Sequence, residues 1–311
     1  MRSLATDTKS DFETAIAIIK LLAKYNPLLD TSDENSLKSL PVTATVNNLV
    51  SRGLKIQFIL PAFPAKSPNR NKTLGNLPDM GEVIALSRLH KMCVDINDIY
   101  LPGAKVIICS DGRVFNDLVR VSDEHLVNYK NEISTIIEDF GLEHLTQFSL
   151  DDCYHGKTFQ SMRQDLTNQY GPSLESVKHL VQTKEHFKTL FNGMHKFLKE
   201  DLSPSYPSFS KNYISSIAKE VTYEVMRRSN AWDQLLKNYF HDVVRLSIHP
   251  YSPLHHKFTI QLIPSMSHWA TPWHNVVLKR GQVITLIKKQ EAMRMGASLK
   301  FFKDRYGFFE I

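Results

Sequence analysis

The chain has 311 residues, 42% apolar and 23% charged, enough to bury a full core as one large domain or two small ones and too apolar for a disordered chain. Lys and Arg number 38 against 32 Asp and Glu, a formal charge of +6. An excess so small and so evenly spread does not call for nucleic acid and suits a basic enzyme acting on an anionic substrate.

Residues 11–25 carry Phe12, Ile16, Ile19, Leu22 and Ala23 at helical spacing. Asn26-Pro27 closes that helix, and the polar stretch to Ser39 reads as a loop. Residues 55–60 form a short apolar run between Gly53 and Pro61, and are expected to be a strand. After a proline-rich loop comes a helix over about 81–97. A second and more apolar strand spans 105–109. Ser122-Asp123-Glu124 caps a helix with Leu126, Tyr129, Ile133 and Ile137 on one face, Gly141 ends it, and 146–150 is a third strand. Strand, helix, strand, helix, strand indicates a parallel sheet with crossover helices. Residues 157–240 read as a mainly helical insertion lying over that sheet. Four further strands are expected at 243–248, 258–263, 276–278 and 283–287, some of them antiparallel, with a hairpin turn at Gly281. The expected architecture is one α/β domain over 1–311, a mixed sheet with a parallel N-terminal half, preceded by a helical lead-in over 1–50.

Cys93, Cys109 and Cys153 include no C-x-x-C pair, which supports neither a disulfide framework nor a zinc ribbon. The start, Met1 to Asp7, lacks a signal-peptide apolar segment. No run approaches the ~20 apolar residues that cross a bilayer. The expected location is therefore cytoplasmic, with no membrane partner.

Ligands of open α/β sheets bind beyond the carboxyl ends of the strands, so the loops there are the places to look for chemistry. Residues 61–68 hold Pro61, Pro64 and Pro68 around Lys66 and Ser67. Prolines stiffen the loop, so it can present an ammonium and a hydroxyl accurately, or serve only as a solvated connection. Ser110-Asp111-Gly112-Arg113 packs hydroxyl, carboxylate, turn-forming glycine and guanidinium into one strand end. The competing reading is a plain Asp-Gly turn with Arg113 paired to Asp117. Arg245, Ser247 and His249 alternate with apolar residues. On a covered sheet they need partners or a ligand, and on an outer strand they face water. Lys257 opens the next strand, and Trp269, Thr271, Trp273 and His274 follow within a few residues. His249, His255, His256, His268 and His274 invite a metal, but no H-E-x-x-H spacing supports one. G-x-G-x-x-G, G-x-x-x-x-G-K-[ST] and G-x-S-x-G are all absent, which removes the usual support for nucleotide binding or an α/β-hydrolase.

Taken together, residues 58–67 with Leu74-Gly75, Pro78-Asp79-Met80-Gly81-Glu82, and the block from Ser110-Asp111-Gly112-Arg113 to Asp117 resemble the pyoverdine/dityrosine biosynthesis family. Arg245-Leu246-Ser247-Ile248-His249-Pro250, Lys257-Phe258 and Thr271-Pro272-Trp273-His274-Asn275 continue the pattern in order, over about 50–290. The resemblance implies a Rossmann-like α/β fold and an isocyanide (isonitrile) synthase. Such an enzyme converts the α-amino group of L-tyrosine or L-tryptophan to an isonitrile, with carbon from C2 of ribulose 5-phosphate and without metal or redox cofactor. It further implies a pathway partner, an iron- and 2-oxoglutarate-dependent oxygenase. By chemical type, Lys66, Asp111 and His274 are expected to move protons. Arg113, Arg245 and Lys257 are expected to hold the anions, and Ser67, Glu82, Ser110, His249 and Thr271 to orient the substrates. Three alternatives remain: an N-formyl product from the same family, a phosphosugar- or amino-acid-binding protein without turnover, and a metal hydrolase.

Overall fold

In the computed structural model the described residues are 10–30, 32–252, 255–265, 267 and 269–311. The start at Met1 to Asp7 and His268 therefore lie outside them. Three helices lead in: α1 (Asp11–Ala23), α2 (Glu34–Lys38) and α3 (Pro41–Ser51). Ser10 and Glu13 form a capping box on α1, and Pro41 opens α3, where its missing N–H costs nothing. The polar stretch read as loop thus contains a one-turn helix capped by Asp33.

The alternation then follows as β1 (Ile56–Pro61), α4 (Met80–Asn97), β2 (Ala104–Cys109), α5 (Gly112–Phe115), α6 (Asp123–Asp139) and β3 (Leu145–Phe148). Four helices occupy the expected insertion: α7 (Phe159–Tyr170), α8 (Leu174–Thr183), α9 (Glu185–Leu202) and α10 (Lys211–Tyr239). The chain returns through β4 (Val244–Ser247) and β5 (Lys257–Thr259) to a five-stranded sheet of order β3-β2-β1-β4-β5. Every pairing in it is parallel. Parallelism therefore extends beyond the N-terminal half, because the long helical excursion lets β4 enter beside β1 in the same direction.

The antiparallel pairing expected at the C-terminal end exists in a separate sheet. There β6 (Val276–Arg280) and β7 (Val283–Ile287) pair antiparallel across a turn at Gly281. After α11 (Lys289–Arg294), strands β8 (Ser298–Phe302) and β9 (Tyr306–Glu310) complete the order β7-β6-β9-β8.

Side-chain alternation divides the main core between two faces. Phe58, Leu60, Val106 and Ile108 pack with α1, α3, α4 and α6. Ile59, Ile107 and Cys109 pack with Met162 and Leu166 of α7 and Trp232, Leu235 and Leu236 of α10. Both faces are covered, as an all-parallel sheet requires. Among the described residues no helix is long and apolar enough to cross a membrane.

Candidate active site

Strand order reverses between β1 and β4, and the carboxyl ends of these strands open into a cavity of about 660 Å³. It lies at the topological switch point where parallel sheets bind ligands. Its walls come from the loops after β1, β2 and β4, from α9 and α10, and from the segment before β6.

The loops after β1 and β2 are locked together. A Cβ on Gly112 would stand 2.0 Å from the Pro64 carbonyl oxygen, so only glycine permits this approach. Phe63 is held at φ 57°, a left-handed conformation unusual for a bulky residue. Ser110 Oγ donates to the Phe63 carbonyl at 3.0 Å, and the Phe63 ring packs on Trp273 at 5.3 Å. Ser67 N–H donates to the Trp273 carbonyl at 2.8 Å, which ties the β1 loop to the segment carrying His274.

Lys66 occupies this junction with no exposed side chain. Its ammonium lies 2.8 Å from Asp79, 2.8 Å from Glu82 and 2.9 Å from the Pro272 carbonyl, so all three of its donors are used. Burial favours the neutral amine, but the two carboxylates outweigh it and hold the pKa of Lys66 above its ordinary value. Burial pushes Asp79 up to about 7 against the pull of Lys66. Asp79 and Glu82 are also the capping box of α4, and Tyr129 donates to Glu82 at 3.1 Å. Lys66 and Glu82 thus build the floor beneath the site, and their charged groups are spent on each other.

Asp111 has the opposite character. It is on the cavity wall, its Oδ1 is buried without a hydrogen-bond partner, and burial raises its pKa to about 7. Arg113, its near neighbour, is not part of the wall. Its Nε pairs with Asp151 at 2.6 Å and its guanidinium stacks 3.5 Å from the Phe159 ring centre. The expected pairing with Asp117 is taken by Arg228, at 2.7 Å.

One polar sector of the cavity gathers around Asp201 of α9. This residue accepts from Ser67 at 2.9 Å, pairs with Lys72 at 2.6 Å and stands 3.6 Å from Nε2 of His274. Burial raises the pKa of Asp201, opposed by Lys72. The other nitrogen of His274 meets the Thr271 hydroxyl at 2.9 Å, and Phe197 lies edge-on at 4.2 Å. Burial, reinforced by Lys72, Lys66 and His249, drives the His274 pKa far down, so at neutral pH the imidazole is uncharged.

A second sector surrounds Asp233 of α10. Arg245 Nη2 donates to it at 2.5 Å and the Lys257 ammonium is 3.0 Å away. Burial would raise Asp233, but these two cations more than reverse it and hold the carboxylate ionised. Lys257 is held below its usual pKa by burial, which the attraction of Asp233 only partly offsets. Nε and Nη1 of Arg245 are buried with no partner. Since β4 is an interior strand, buried throughout, the reading of Arg245 and Ser247 as solvent-facing is set aside. His249 packs against Trp269 at 5.2 Å, and burial with Lys257 lowers its pKa to about 4.

Eight of the eleven residues expected from the sequence therefore line one cavity, while Glu82, Ser110 and Arg113 support it from behind. Lys72, Asp201 and Asp233 were not anticipated. Asp201 falls on the buried stripe of α9 with Leu198 and Leu202, and a carboxylate in phase with an apolar stripe is a readable signal. Among the described residues the C-terminal histidines bring no three metal-ligating atoms together.

The remaining wall is apolar and aromatic, including Leu190, Met194 and Phe197 of α9 and Trp232 of α10. A doubly covered parallel sheet whose switch-point cavity joins cations, a protonatable carboxyl and an apolar wall is suited to a small anionic ligand with an apolar part. The chain belongs to the pyoverdine/dityrosine biosynthesis family, whose model matches residues 46–299. It is 42% identical to an L-tryptophan isonitrile synthase of Fischerella ambigua over 85% of this chain and 80% of that one. To an L-tyrosine isonitrile synthase of Pseudomonas aeruginosa it is 40% identical, over 80% and 77%. The crystal structure of PvcA from Pseudomonas aeruginosa superposes with a TM-score of 0.88 at 34% identity, covering 96% of this chain and 99% of that one.

Proposed function

We propose that the protein is an isonitrile synthase that converts the α-amino group of an aromatic L-amino acid, tryptophan or tyrosine, using C2 of ribulose 5-phosphate as the carbon source. The observation that carries this reading is Arg245. A buried guanidinium with two unpaired donors on a cavity wall is costly unless an anion completes it. The phosphate supplies that anion, Lys257 adds a second cation, and Asp233 holds both in place. The aromatic side chain goes against the wall of α9 and α10, and 660 Å³ accommodates both molecules.

Addition of the amine to the C2 ketone and loss of water require a general acid and a general base. Asp111, poised at about 7, is suited to both protonation states near neutral pH. Neutral His274, oriented by Thr271 and facing Asp201, accepts the amine proton. Ser67 is fixed by Asp201 beside the same wall. Lys66 is assigned to positioning, since its donors are satisfied within the protein. These assignments require no metal and no redox cofactor, and the product is the kind of compound an iron- and 2-oxoglutarate-dependent oxygenase would consume.

The test is to incubate the pure protein with ribulose 5-phosphate and either amino acid, following the isonitrile stretch by infrared spectroscopy and the product by mass. Isonitrile from one or both is the expected result. An N-formyl amino acid, or thermal stabilisation by the ligands without turnover, would replace this reading.

A further inference from the structure

At the amino-terminal edge of the main sheet, opposite the cavity, three ligand-type side chains converge. His90 projects from the middle of α4, and Glu143 and His144 lie in the connection between α6 and β3. One ligand atom from each lies within 4.8 Å of the other two. His144 Nδ1 is 3.4 Å and His90 Nε2 is 3.9 Å from the Glu143 carboxylate. Tetrahedral zinc with Zn–N and Zn–O bonds near 2.1 Å separates its donors by about 3.4 Å, so closing the set needs only a small movement. Glu143 is the freest of the three, since its side chain is 69% exposed, whereas the two imidazoles are 18% and 17% exposed and lie edge to face.

One further observation points to a ligand. His144 Nδ1, the atom facing Glu143, is buried and makes no hydrogen bond. The opposite nitrogen, Nε2, is 2.7 Å from the side-chain NH₂ of Asn97, which fixes the ring from behind but offers it a donor where a metal-bound imidazole needs an acceptor.

We propose that His90, Glu143 and His144 form a binding site for a divalent transition cation of the zinc type, with solvent completing the coordination. The site clamps α4 to the α6–β3 connection and lies apart from the catalytic cavity. Asn97 sets its strength. Asn97 Oδ1 accepts from the Ala104 N–H at 3.0 Å, so its NH₂ group faces His144 Nε2. Metal on Nδ1 puts the imidazole proton on Nε2, which then lacks an acceptor. An aspartate at 97 would accept from both Ala104 and His144.

The test uses untagged, chelator-treated protein titrated with Zn²⁺ by calorimetry and with Co²⁺ by visible absorption. One equivalent per chain is expected, with a rise in Tm. Glu143→Gln, which alters only an exposed side chain, and His144→Ala should each weaken binding at least about ten-fold, and Asn97→Asp should tighten it by about ten-fold, the scale of outer-shell effects. Absence of stoichiometric binding, affinity unchanged in Glu143→Gln and His144→Ala, or weaker binding in Asn97→Asp would overturn the proposal.

Discussion

Asp111→Asn should make the protein more stable at alkaline pH while abolishing turnover. The wild-type carboxyl rises from an ordinary 3.8 to about 7 because burial penalises its charged form. A raised acid binds its proton in the folded state and releases it in the unfolded state between these two values, so stability falls as pH rises through that window and is constant above it. Ionising such a group in the folded protein costs about 4 kcal/mol above pH 7, on the order-of-magnitude scale of linkage. Asparagine is uncharged and escapes this penalty, but leaves a buried amide oxygen unpaired at about 1–3 kcal/mol. The net gain at pH 8.5 is on the order of 1–3 kcal/mol, and the mutant's advantage should grow by about 2 kcal/mol between pH 5.5 and 8.5. Denaturant unfolding at the two pH values measures the difference, and isonitrile formation measures the activity. An advantage independent of pH would show that burial does not hold the proton on Asp111. Turnover within a few-fold of wild type would remove Asp111 from proton transfer.

Lys66→Met should cost about 3–5 kcal/mol by leaving two buried carboxylates without their cation. Because Lys66 is a positioning residue, adding Asp79→Asn and Glu82→Gln should restore both Tm and most of kcat. Recovered stability with kcat still absent would make the amine catalytic after all. Arg245→Gln should raise KM for ribulose 5-phosphate about ten- to hundred-fold, the value of a lost charge-assisted contact, with a smaller effect on KM for the amino acid, as steady-state kinetics in both substrates would show. His274→Asn should lower kcat about 10²–10⁴-fold, the usual range for a general base, with near-normal binding of both substrates by calorimetry.

The sequence made the main sheet legible wherever side-chain burial alone decides the structure. Residues 106–109 are apolar on both faces, and β2 is buried almost throughout. The C-terminal sheet was less visible. Strands β8 and β9 turn at Lys303 and Asp304, both with positive φ, and a Lys-Asp pair lacks the Asn-Gly signature of such a hairpin. All five residues of β8 are exposed, so no burial pattern marks that strand. The strand-end rule places Asp111, Arg245 and His249 on the cavity wall because the strands they follow fix their position. Arg113 lies off the wall: a guanidinium at a strand end serves an internal ion pair as readily as a ligand, and its partner Asp151 is not marked by any local spacing. Asp201 and Asp233 reach the cavity from helices of the insertion, through tertiary packing that no local spacing encodes.

The most direct measurement supplies ribulose 5-phosphate carrying ¹³C at C2, with L-tryptophan and L-tyrosine in parallel, and locates the label in the product by ¹³C NMR. The account predicts an amino-acid isonitrile with ¹³C in the isonitrile carbon. Unlabelled isonitrile, label in an N-formyl group, or no product from either amino acid would contradict it.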